Sequence, residues 1–252
     1  MLEILDVKYL YALKKTFYQF GVSTMAKSYF NQSSFKFLQK LSKNNNRDWF
    51  NEHKQEYEDE IRTPALIFIA DMSDDLATLS PHFYAVPKKV GGSLMRVYRD
   101  VRFSKDKTPY KTHVGIQFRH AMGKDVHSPG FYLHVEKSNC FVGVGIWRPD
   151  SSSLSKIREY IVAKEKQWLA ASLDKKFRKQ FDFTGESLIN APRGYAKDHP
   201  LLEDLKRKDY IALSRLTDEE ICSPKLKSLV LKRFQAGEPL MKFLCKALEV
   251  NY

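Results

Sequence analysis

The feature that most limits the fold of this chain is a threefold alternation of apolar and polar residues between positions 113 and 147. In residues 113–119, Val114, Ile116 and Phe118 alternate with His113, Gln117 and Arg119. In residues 130–136, Phe131, Leu133 and Val135 alternate with Tyr132, His134 and Glu136. In residues 140–147, Val142, Val144 and Ile146 alternate with Phe141, Gly143, Gly145 and Trp147. A period of two sends the two sets to opposite faces of a strand, so these segments predict an antiparallel sheet with one buried face. Lys137-Ser138-Asn139 centres a short hairpin turn. That turn would set Glu136 opposite Phe141, His134 opposite Gly143, Tyr132 opposite Gly145 and Gly130 opposite Trp147. Glycines facing a histidine and a tyrosine predict an open trough on the polar face, with Tyr132 and Trp147 among its walls.

Helical spacing flanks these strands on both sides. Ser34 is expected to cap a helix carrying Phe35, Leu38 and Leu41, and the run Asn44-Asn45-Asn46 ends it. A second helix from Asn46 or Asp48 carries Trp49, Phe50, Tyr57 and Ile61, with Pro64 kinking or restarting it near Arg62. Beyond Pro149 the pattern predicts further helices, the last over residues 224–250 and kinked between Gly237 and Pro239. The whole predicts an α+β fold: an antiparallel β-meander with one face packed by flanking N- and C-terminal helices. Residues 34–252 are expected to form one domain. Residues 1–33 read as an N-terminal appendage, with Met25 as an alternative natural start.

Charge is concentrated. The chain carries a net +12, and residues 88–113 hold eight Lys/Arg against two Asp. Such a cluster is unfavourable unless an anion faces it or the aspartates neutralise it. Asp100 between Arg99 and Arg102 is placed to grip a guanidinium by paired hydrogen bonds. If residues 93–103 begin as a strand, Arg96, Asp100 and Arg102 share a face, and their head groups are expected to converge with Lys107 and His134 around one cavity. The candidate ligand-binding residues are therefore Arg96, Arg99, Asp100, Arg102, Lys105, Lys107, Tyr132 and Trp147. Tyr110, His113 and His134 are the candidates for proton transfer. His113, His120, His127 and His134 recur every seven residues, but across strands and a loop, so the spacing is no helical heptad.

Other chemistries leave no mark. Phosphate-cradling loops, nucleophile elbows and HExxH are missing, and no metal or cofactor is expected. The three cysteines, Cys140, Cys222 and Cys245, show no CxxC spacing, which argues against a disulfide framework and favours a cytoplasmic setting. No run of apolar residues is long enough to span a membrane.

The pattern Arg-x-x-Arg-Asp-x-Arg-Phe-x-x-x-Lys-x-x-Tyr is satisfied at Arg96, Arg99, Asp100, Arg102, Phe103, Lys107 and Tyr110. With NNNRDWF at 44–50, GFYLH at 130–134, GVGIWRP at 143–149 and KDHP at 197–200, the chain resembles the DUF2461 family from about Ser34 onward. The resemblance singles out these residues and implies no mechanism. An anionic small molecule is the first expected partner. Nucleic acid is the second, with Tyr98, Phe103, Tyr132 and Trp147 as stacking faces. A protein-interaction module with structural arginines is the third.

Overall fold

A computed structural model describes residues 28–123 and 128–252. Most of the expected appendage, residues 1–27 with Met25, lies outside the described residues, as does His127. Phe30, just inside them, is fully buried in the core.

Helix α1 spans Gln32–Lys43. Its cap is Asn31, whose side chain accepts from the Ser33 and Ser34 amides. Ser34, expected as the cap, instead makes the return half of a capping box, its hydroxyl oxygen accepting from the Asn31 amide at 3.2 Å. Helices α2 (Arg47–Glu52) and α3 (Lys54–Tyr57) follow. Asn46 caps α2 by accepting from the Trp49 amide at 3.0 Å. A π-helical turn, Glu58–Arg62, then precedes α4 (Thr63–Asp71) and α5 (Ser73–Leu79). The π turn comes immediately before Pro64, which has no N–H to offer the ladder, so the expected restart occurs where Pro64 demands it.

The sheet has strands β1 (Phe83–Tyr84), β2 (Val114–His120), β3 (Gly130–Val135), β4 (Cys140–Ile146), β5 (Asp182–Thr184) and β6 (Tyr210–Leu216). Their order is β1-β2-β3-β4-β6-β5, and every pairing is antiparallel. The meander holds for β1 to β4. Between β4 and β6 run helices α6 (Ser151–Ala163), α7 (Glu165–Ser172), α8 (Lys175–Gln180) and α9 (Leu202–Leu205), and β6 then returns to pair with β4.

All nine apolar positions of the alternating segments are buried on one face. Helices α10 (Asp218–Ile221) and α11 (Leu226–Ala247) complete the chain, and α11 lies against β4 on that face. It runs unbroken through Pro239. At Gly237 an added Cβ would stand 2.8 Å from Val144 Cγ1, so glycine there sets how closely helix and sheet approach. Gly145 has φ +118° and an added Cβ would come within 2.0 Å of the Tyr210 carbonyl oxygen, so only glycine fits that point of β4.

The hairpin register differs from expectation by two residues. His134 pairs with Phe141, Tyr132 with Gly143 and Gly130 with Gly145. The cause is the turn: the Asn139 amide donates to the Glu136 carbonyl at 3.0 Å, and Ser138 takes φ +63°. A shift of two keeps every side chain on its expected face but changes its neighbours.

Candidate functional site

The basic motif forms an arm rather than a strand. Residues 93–99 run antiparallel to 109–117, joined by Gln117 N to Ser93 O (2.8 Å), Met95 N to Gly115 O (2.9 Å), Lys111 N to Val97 O (2.7 Å) and Arg99 N to Pro109 O (2.9 Å). Between the second and third of these bonds the second limb advances four residues while the first advances two. His113 sits in that bulge, which tips its ring over β3. The base of the arm is held from α2's side of the molecule. Asn45 Nδ2 donates to the Tyr110 carbonyl at 2.9 Å and its Oδ1 accepts from the Tyr110 amide at 3.0 Å. Tyr110 is buried and stacks on Phe50 with centroids 4.1 Å apart.

The tip stitches its own charges together. Arg99 donates to the Asp106 carboxylate and the Thr108 hydroxyl, while Asp106 Oδ1 accepts from the Thr108 amide at 2.9 Å. Asp106 is held down at about 2 by the Thr108 amide first and the Arg99 guanidinium second. Asp100 grips Arg102 through two bonds, of 3.0 and 2.7 Å, and is likewise held at about 2 by that arginine. Lys107 Nζ donates to the Val101 carbonyl at 2.9 Å. These pairs are solvent-facing, so they shape the tip more than they stabilise the fold. Arg96 and Lys105 are exposed and form no ion pair among the described residues.

Between arm and α2 lies a cleft of about 360 Å³, lined by Arg47, Asn51, Tyr98, Arg99, Val101, Pro109 and Tyr110. Arg96, Asp100, Arg102, Lys107 and His134 are not among its walls. The expected single cavity is therefore replaced by two separate places, because the arm is bulged and its tip folds onto itself.

The second place is the solvent-side face of β3. His134 is 8% exposed, with Phe141 stacked against it at 4.5 Å and His113 at 4.4 Å. Its Nδ1 lies 3.1 Å from the Tyr132 hydroxyl and its Nε2 lies 3.3 Å from Glu136 Oε2. Asn139 Nδ2 donates to the same carboxylate oxygen at 2.6 Å. Burial lowers His113 to about 4, helped by His134, and burial also lowers His134 against the pull of Glu136. Both imidazoles are thus neutral near pH 7. Burial pushes Glu136 up, but hydrogen bonds from Asn139 and His134 outweigh it and leave it lowered. Burial raises the Tyr132 hydroxyl. Donor atoms of His113, His134 and Glu136 all lie within 4.8 Å of one another.

The chain matches the family described as "Conserved hypothetical protein (DUF2461)" over residues 33–243. It belongs to the DUF2461 family. No curated protein and no solved structure matches it.

In this DUF2461 protein the expected trough does not open. Tyr132 lies across the face, and an added Cβ on Gly115 would come within 2.7 Å of its hydroxyl. Gly115 thus makes the slot that lets Tyr132 reach His134. Trp147 is 45% exposed at the far end of β4, with Arg148 over its ring at 4.9 Å. Sequence reasoning missed Asn45, Arg47 and Gly115. Asn45 and Arg47 lie within the NNNRDWF run, where the asparagines read as a helix stop. The turn at 193–200 is a tied surface loop, in which His199 Nδ1 accepts from the Leu201 amide at 3.0 Å.

Proposed function

We propose that this protein binds an anionic small molecule, bearing a phosphate or carboxylate, in the cleft between the arm and α2. The observation that carries the reading is the lining of that cleft: two guanidiniums, Arg47 and Arg99, two tyrosines, and no carboxylate. Arg99 is pre-set by Asp106 and Thr108, while Arg47 has no ion-pair partner among the described residues. A rigid fork plus a free one suits bidentate capture of an oxyanion. The volume suits a small ligand. Arg96, Arg102, Lys105 and Lys107 supply a field that draws anions toward the cleft. Tyr110 serves as a wall, while His113 and His134, the candidates for proton transfer, stand outside the cleft lining on the β3 face. The shared core supports reading residues 34–252 as one domain. Three free cysteines support a cytoplasmic setting, and no helix among the described residues is long and apolar enough to cross a membrane.

Calorimetric titration with inorganic phosphate and pyrophosphate tests this. Losing one charged hydrogen bond costs about 1.5–3 kcal/mol, so Arg47→Ala is expected to weaken pyrophosphate binding by roughly 10- to 150-fold. Arg102→Ala, outside the cleft, is expected to weaken it far less. Equal affinity in wild type and Arg47→Ala refutes the reading.

One observation favours nucleic acid as the second reading. Phe103 is 95% exposed at the arm tip, with Arg102 at 5.8 Å from its ring and Lys105 and Lys107 alongside. A single-stranded ligand stacked there loses about 0.7 log units of affinity per phosphate contact per decade of salt. Phe103→Ala would remove such binding and leave pyrophosphate binding intact.

A further inference from the structure

We propose that His113, His134 and Glu136 form a binding site for a divalent transition-metal ion of the zinc class. The inference stands on the sheet face and is independent of the anion reading of the cleft. Two imidazoles and one carboxylate present donor atoms that all lie within 4.8 Å of one another. Around a zinc ion with bonds of about 2.0–2.2 Å, tetrahedral ligand atoms sit roughly 3–4 Å apart, so a small side-chain shift closes the set. His134 Nε2 and Glu136 Oε2 are already 3.3 Å apart.

The surroundings are those a metal site uses. Two of the donors come from β3 and its end, two residues apart on one face, and the third from the bulge of the arm. Each β3 donor is oriented by a further group. The Tyr132 hydroxyl lies 3.1 Å from His134 Nδ1, and Asn139 holds Glu136 Oε2 at 2.6 Å. With the ion bound, His134 carries its single proton on Nδ1, donates it to the Tyr132 oxygen, and turns the Nε2 lone pair to the metal. Phe141 fixes the plane of that ring by stacking at 4.5 Å and 6°. Nitrogen-rich ligation of this kind selects zinc, cobalt or iron over magnesium and calcium, which prefer oxygen. Three protein ligands leave a coordination position for water or an anion.

Untagged, chelator-treated full-length protein is titrated with Zn2+ and, separately, Mg2+ by calorimetry, and its visible spectrum is recorded with Co2+. One equivalent of Zn2+ is expected to bind, with no comparable Mg2+ binding, and the Co2+ spectrum should show nitrogen ligation. His113→Ala and Glu136→Gln should each weaken Zn2+ by more than about 100-fold. Tyr132→Phe, an orienting partner, should cost roughly 10- to 100-fold. His199→Ala should bind as wild type. Melting curves without metal report folding. Glu136→Gln keeps size and shape, so it decides the matter if His113→Ala unfolds. The proposal falls if wild type binds no stoichiometric Zn2+, if Mg2+ binds equally well, if Co2+ keeps its aqueous spectrum, or if a folded Glu136→Gln retains wild-type affinity. Any of these would leave His134 and Glu136 an internal hydrogen-bonded pair with His113 packed on the His134 ring, and no metal site.

Discussion

Asn45 satisfies both backbone polar groups of Tyr110, donating at 2.9 Å and accepting at 3.0 Å from a single side-chain amide. It thereby locks the arm to the junction of α1 and α2 and fixes the floor of the cleft. Because Tyr110 is buried, neither backbone group has water as a substitute. Asn45→Ala is expected to destabilise the protein by about 2–3 kcal/mol, from two lost bonds and the groups they leave unpaired. Urea denaturation measures it, and a change under about 0.5 kcal/mol would show that the clamp is idle.

Gly115→Ala tests how Tyr132 reaches His134. The new Cβ would meet the Tyr132 hydroxyl at 2.7 Å and Met95 Sδ at 2.8 Å. Both are ends of side chains that can move, so the fold should survive. The Tyr132–His134 contact should not. The nitrogen shifts of the His134 ring by NMR should change, while a spectrum identical to wild type would mean that the slot is not needed.

His120 should make stability depend on pH. Its Nδ1 accepts from the Met122 amide at 3.1 Å, so its Nε2 carries the proton and donates to the Asn251 carbonyl at 2.7 Å. Burial lowers its affinity for a second proton, and the neighbouring His82 lowers it further. A base depressed on folding binds fewer protons than it does unfolded. Its contribution is therefore complete above the unfolded value, near 6.5, and is lost as pH falls toward the folded one. Denaturation at pH 7.5 and 5.5 should show a stability drop that shrinks in His120→Asn.

Asp100 and Asp106 should behave differently although both are held at about 2. Among the described residues Asp100 joins only Arg102, in an exposed pair, so Asp100→Asn should leave the melting temperature unchanged. Asp106 positions Arg99 and closes the tip, so Asp106→Asn should make residues 100–108 easier to cleave with protease. In wild type the Asp106 contacts are complete above about pH 4 and fade as the pH falls toward 2. Equal protease resistance in Asp106→Asn would remove that aspartate from the account.

The buried face was legible because Val114, Phe131, Val142 and their partners alternate without exception. β6 was not, because two of its inward residues, Ala212 and Ser214, are small or polar and blur the period. The hairpin slipped by two because the closing bond from Asn139 to Glu136 depends on Ser138 adopting a left-handed backbone, which serine rarely signals. The arginine motif was visible as chemistry but not as geometry. Local parity predicted one convergent face, whereas the bulge at His113 and the self-pairing of Arg99 and Arg102 divided it. Asn45 and Arg47 act on residues more than fifty positions away, and spacing along the chain carries no trace of such contacts. His113 and His134 meet for the same reason, brought together by a bulge and an adjacent strand.

The cleft between α2 and the arm is proposed to hold an oxyanion. Crystals soaked in tungstate test it most directly, since the anion's anomalous signal locates it without assumption. A peak is expected inside the cleft within hydrogen-bond reach of Arg47 and Arg99, displaced by pyrophosphate. An empty cleft, with tungstate only at the arm tip beside Arg102 and Lys105, would contradict it.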